Sequence, residues 1–206
     1  MSSSPEIQHA MQALGELTPI EVPTIVETIC AISGASAVRG ALGTVYFTWN
    51  AHGEPPLVVV DWTIAPIESA LPTYLSDVFA RLAALRAACR VVCFPEDIAL
   101  YAEPQGLGKV VLIEAYKGGH DVREVREDIA GLTLEERATP ALVYVHAGQV
   151  KFARPAFEKI VNFRGTAANH LRRQIAEYSI DRRADTAELL TAWCTGILLA
   201  LEVGRS

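Results

Sequence analysis

The sequence predicts a mixed α/β domain, on three observations. Three β-rich runs stand in a row, separated by turns that carry glycine and proline. The hydrophobic period then switches to that of a helix, and short strands alternate with helices down the rest of the chain. Half of the 206 residues are apolar and 20% are charged, enough apolar surface for one sizeable core without staples.

Taken in order, residues 1–22 read as a short helical arm that exits through Thr18-Pro19 and Val22-Pro23, and 23–206 as one domain. Residues 27–33 (ETICAIS) predict the first strand, followed by a Gly/Ala/Ser loop at 34–43. The runs 44–49 (TVYFTW) and 57–64 (LVVVDWTI), joined by NAHGEPP, predict a hairpin, so the first three strands form an antiparallel meander. Leu71, Leu75, Val78, Phe79, Leu82, Leu85 and Cys89 fall at helical spacing over 71–90. Residues 98–103 (IALYAE) predict a fourth strand, 108–117 a helix ended by Gly118-Gly119, and 121–125 a fifth strand. Helices are expected at 133–147 and 155–178, with a short extended piece at 149–152 between them. A last helix over 184–203 carries Leu190, Trp193, Cys194, Ile197, Leu198 and Leu201 as a stripe that must cover the sheet. This order, with helices on both faces of a mixed sheet, is the plan of the ribonuclease H-like fold, whose strand order is 3-2-1-4-5. A plan of this kind licenses no activity by itself.

Charge and cysteine usage narrow the function classes. The four cysteines (Cys30, Cys89, Cys93, Cys194) form no CxxC pair and read as small buried apolar residues. No apolar run reaches the ~18 residues of a membrane span. The N-terminus lacks the basic-then-apolar plan of a signal peptide, so the cytoplasm is the expected compartment. Net charge is −6, yet it is unevenly spread: residues 1–105 sum to −7 and residues 151–183 to +5. The basic sector comprises Lys151, Arg154, Lys159, Arg164, Arg172, Arg173, Arg182 and Arg183. It is a candidate for contact with DNA phosphates, or else an ordinary solvated face.

Several chemistries find no support. There is no GxSxG, the five histidines sit in unrelated contexts, and GLGK at 106–109 lacks the spacing of a phosphate loop. Acids at element ends remain. Glu103 closes the fourth strand at the carboxyl edge of the sheet, where ligands of α/β folds bind. Asp181 and Asp185 open the last helix one turn apart, where two-metal phosphodiester cleavage would want carboxylates and where plain helix capping also wants them. Asp61, two strands from the first, is expected roughly 10 Å from that edge's centre, too far to join Glu103.

From residue 24 to 203 the order of motifs resembles the C-terminal nuclease domain of tailed-phage large terminase subunits. ISGAS at 32–36 resembles the family's first-strand Asp-x-Ala-Ser, TVYFTW its second strand, and VVVDWT at 58–63 its third. AEPQGLGK at 102–109, LEERATPALVYVHAGQVKF at 134–152 and DRRADT at 181–186 resemble the later motifs. The resemblance implies a metal-dependent DNA endonuclease of genome packaging, using Mg²⁺ or Mn²⁺. Its implied partners are double-stranded DNA, a terminase ATPase or small subunit and a phage portal, in the cytoplasm of a bacterial host. Glu103, Asp181 and Asp185 would be the catalytic and metal-binding acids. Ser33 stands where the family has the first-strand aspartate, and Arg182 where a second closing acid would stand. The resemblance therefore has two outcomes, a weakened or working nuclease, or a catalytically inactive DNA-binding or protein-docking module. An unrelated small-molecule enzyme of α/β type is the third reading.

Overall fold

A computed structural model describes residues 19–37, 39–70, 73–92, 98–178 and 187–202. Its centre is a six-stranded mixed sheet. Strands β2 (Thr28–Ser36), β3 (Ala41–Trp49) and β4 (Leu57–Pro66) form the antiparallel meander. β6 (Ile98–Ala102) lies parallel to β2, and β7 (Val122–Glu124) parallel to β6. These five strands have the order expected from the sequence, 3-2-1-4-5. A sixth, β8 (Val150–Phe152), pairs parallel to the free edge of β4, so the short extended piece at 149–152 is a full member of the sheet. A separate two-residue pair joins β1 (Ile25–Val26) to β5 (Arg90–Val91).

Strand alternation divides the apolar residues between two faces. Ile32, Val45, Phe47, Val59 and Trp62 point to one side, under the helices α5 (Leu134–His146) and α8 (Glu188–Glu202). Ile29, Ala31, Tyr46 and Val58 point to the other, under α2 (Tyr74–Ala88) and α3 (Gly106–Gly118). The short helices α1 (Ile67–Ala70) and α4 (Glu127–Ala130) lie between these elements. On α8, Trp193, Ile197 and Leu198 are buried as the stripe requires. Thr133 and Glu136 close a reciprocal capping box at the start of α5, so two otherwise unpaired donors find partners.

Two expectations are corrected. The Gly/Ala/Ser segment 34–43 is not a loop: β2 continues to Ser36 and β3 restarts at Ala41, leaving only a tight turn. The cause is steric. Gly34 and Gly43 face each other across the two strands, and a Cβ on Gly34 would lie 2.1 Å from the Glu188 carbonyl oxygen. The glycines therefore let α8 descend onto the sheet. Likewise the expected helix over 155–178 is broken into α6 (Arg154–Glu158), a hairpin of β9 (Val161–Phe163) and β10 (Thr166–Ala168), and α7 (His170–Glu177). Arg164 (φ 51) and Gly165 (φ 79) turn the hairpin in the left-handed region, the conformation a two-residue hairpin loop demands. His170 Nε2 lies 3.0 and 3.2 Å from the Val161 and Thr166 carbonyls, two acceptors, so it donates and ties the hairpin to α7.

Candidate functional site

The carboxyl edge of β2 and β6 opens into a cavity of about 340 Å³, lined by Ser33, Gly34, Glu103, Gln105, Gly108 and Thr191 among others. The turn after β6 explains its glycines. Gly106 takes φ 58, and a Cβ on Gly108 would lie 2.4 Å from the Glu103 carbonyl oxygen, so only glycine lets α3 begin there. Gln105 donates to the Ala130 carbonyl at 3.1 Å and fastens this turn to α4.

Glu103 is held by Arg137, whose side chain is only 5% exposed while that of Glu103 is 24% exposed. The same guanidinium donates to the Thr195 hydroxyl at 3.0 Å and to the Ala130 and Leu132 carbonyls at 3.0 and 3.1 Å. All of these partners lie on the α5 and α8 face of the sheet. Ser33 faces the other way. Tyr74 on α2 donates to its hydroxyl at 2.8 Å, and the Tyr74 oxygen also lies 2.9 Å from Thr44 Oγ1. Burial pushes the Tyr74 phenol up, so it stays a neutral donor. The residue level with Glu103 is Gly34, two positions beyond the last registered pair, Ile32 with Tyr101. Ser33 and Glu103 thus border one cavity with side chains on opposite faces. Asp181 and Asp185 lie outside the described residues, as do Arg182 and Arg183.

Asp61 is buried on the α2 face, with Arg81 as one partner and Lys159 Nζ at 2.7 Å as the other, and it accepts from the Trp62 amide at 2.8 Å. That ion triad is an edge acid turned inward. The remaining described basic residues come from several elements, β8, α6, the β9–β10 turn and α7. Arg154 pairs with Glu21 at 3.0 Å and Glu158 at 3.6 Å, and Arg172 lies 3.9 Å over the Phe157 ring. Lys151 sits half-buried on β8. Arg164 and Arg173 do come together, at a second cavity with Arg39. Reading the sequence missed Arg137, Arg39 and Glu188. Arg137 had a signal, since it precedes Ala141 by four residues on the buried stripe of α5.

No family model matches the sequence, and no curated protein matches it. Among solved structures, the manganese-soaked terminase nuclease domain of human cytomegalovirus has 11% identity and a TM-score of 0.60, over 94% of this chain and 96% of that one. A second structure of that domain gives 10% identity and a TM-score of 0.57, over 93% and 95%. The fold is that of a terminase nuclease domain. The zinc-bound large terminase nuclease of thermophilic phage G20c also matches, at 12% identity and a TM-score of 0.47, over 90% and 97%.

A terminase-type nuclease edge would hold divalent metal between carboxylates from several elements. The described donors here do not fit that group. Glu103 is already matched by a buried arginine, the Ser33 oxygen accepts from Tyr74, and Gly34 has no room for a side chain. Among the described residues, no three His, Cys, Asp or Glu side chains gather as a metal-holding group. Nor, among them, is any helix long and apolar enough to cross a membrane.

Proposed function

We propose that this chain is a terminase-type DNA-binding module of phage genome packaging in which cleavage has been lost. It would act in the cytoplasm of the bacterial host, on double-stranded DNA and beside a packaging ATPase, small subunit or portal. The observation that carries the reading is Gly34. Neither first-strand position at that edge gives Glu103 an acid to share metal with: Ser33, where the family's aspartate would stand, faces Tyr74, and at Gly34, level with Glu103, the Glu188 carbonyl leaves no room for a side chain. Hard divalent cations need several anionic oxygens, and among the described residues Glu103, matched by Arg137, is the one carboxylate that lines this cavity. The fold likeness to terminase nuclease domains supports the genome-packaging context.

One observation favours the second reading, a nuclease that uses Mg²⁺ or Mn²⁺ with Glu103, Asp181 and Asp185 as its acids: Glu103 still opens onto a cavity at the sheet edge. Plasmid incubation with Mn²⁺ or with EDTA separates the two, run on the wild type, Glu103→Ala and Ser33→Asp. We expect duplex binding and no cleavage by any of the three proteins, because an aspartate at 33 would face Tyr74 rather than Glu103. Cleavage by the wild type that EDTA and Glu103→Ala both abolish would overturn the module reading in favour of the nuclease.

A further inference from the structure

We infer that the cavity between the β2–β3 turn, the Arg164-Gly165 hairpin turn and α7 is a phosphate pocket that grips a backbone phosphodiester of DNA. It measures about 390 Å³ and takes three arginines, Arg39, Arg164 and Arg173, against one lining acid, Glu177. These come from three separate elements, so their convergence is a product of the tertiary fold. A planar guanidinium presents paired N–H donors that match phosphate oxygens, and a lining this polar suits no apolar ligand.

The pocket is also built to hold its cations in place. Arg39 and Arg164 flank the buried ring of Phe163, at 5.9 and 5.3 Å from its centroid. Arg164 donates to the Gly40 carbonyl at 3.3 Å, and Arg173 to Glu177 at 2.8 Å. Behind the pocket lies Glu188, whose side chain is 0% exposed; its Oε1 is 3.8 Å from Arg39. Gln174 connects the two parts: it donates to Glu188 Oε1 at 2.9 Å and accepts from the Leu189 and Leu190 amides. Glu188 Oε2 is buried with no hydrogen-bond partner among the described residues, so a buried negative charge sits behind Arg39 and holds its cation at the pocket.

Position relative to the Glu103 cavity selects DNA as the source of the phosphate. Ala37 lines that cavity and Arg39 lines this one. Two residues of chain span at most about 7 Å, so a strand crossing the β2–β3 turn would pass from one to the other within about two nucleotides. This identification rests on the DNA-binding reading above, whereas the pocket's affinity for phosphate does not.

The test is the salt dependence of duplex binding, followed by fluorescence anisotropy, for the wild type, Arg39→Gln, Arg173→Gln and a distant charge control, Lys117→Gln. Inorganic phosphate is titrated into the same proteins by calorimetry. Each pocket variant should lower the slope of log K against log salt by about one phosphate contact and weaken phosphate binding, and the control should do neither. Arg173 is half exposed, so its variant keeps the fold intact if Arg39→Gln does not. Duplex binding with an unchanged slope in both variants would overturn the pocket and spare the DNA-binding reading. Phosphate binding that the variants lose, with no duplex binding by the wild type, would uphold the pocket and overturn DNA as its ligand. Binding of neither probe would overturn both.

Discussion

Arg137 directs its guanidinium at four acceptors, Glu103, Thr195 and two backbone carbonyls, from a position with almost no exposure. Breaking a buried ion pair from one side leaves a desolvated charge and unpaired acceptors. Arg137→Met should therefore destabilise the fold by about 3–5 kcal/mol in urea denaturation. Glu103→Gln, at the more exposed end, should lose less. Tyr74→Phe removes one hydroxyl from the Ser33–Tyr74–Thr44 chain and should lose about 1 kcal/mol by the same measurement. Equal losses for Arg137→Met and Glu103→Gln would show that Arg137 is not the anchor. At this scale the sequence is a poor guide to partners. Glu103 is legible as a strand-end acid, but its arginine lies 34 positions away in sequence. The facing of Ser33 follows from strand alternation, but nothing in the local sequence names its partner Tyr74, 41 positions away.

Helix α8 sits on the sheet because three glycines make way for it. Gly34 and Gly43 admit its first turn, and Gly196 admits the Phe47 ring, which lies 2.4 Å from where a Cβ would be. Gly196→Ala should consequently lower the melting temperature, with an overpacking loss of about 1–3 kcal/mol. A variant as stable as the wild type would mean that Phe47 moves aside freely. Elements with a long apolar period were legible: α2, α5 and α8 lie close to their expected bounds. The helix expected over 155–178 failed because the apolar residues of β9 and β10 keep a near-helical count while Arg164-Gly165 reverses the chain. An Arg-Gly pair is a weak hairpin signal beside Asn-Gly or Asp-Gly. The glycine pair in β2 and β3 misled for the opposite reason, since glycine there serves packing and not a turn.

For the molecule as a whole, burial of ionisable groups sets an alkaline limit. Burial pushes the Cys194 thiol from 9.0 up to about 12, and raises the Tyr46 and Tyr74 phenols as well. Groups with raised pKa values in the folded state favour folding below their unfolded pKa, and that contribution is lost as pH rises through the folded value. Stability should thus be flat to about pH 9 and fall between there and about pH 12, as followed by denaturation across a pH series. A curve that stays flat to pH 12 would mean these groups are accessible to water. The order 3-2-1-4-5 was legible because the sequence of strands and helices matches the plan of the ribonuclease H-like fold, which carries that order. The sixth strand was not, since three residues carry too little pattern to choose a partner.

That sixth strand has a bearing on how the protein is made. β4 presents Leu57, Val58 and Val59 to β8, and Ile20 is bridged to Ala153, just past its end. The ribosome finishes β4 long before it reaches Phe152, and at roughly 5–20 residues per second the interval is on the order of ten seconds. Throughout that time a nascent chain carries an unpaired, strongly apolar strand edge, the feature most prone to pairing with a neighbour. Newly synthesised copies on one message are such neighbours, and a chaperone that shields Leu57–Val59 during translation would decide how much of the product folds.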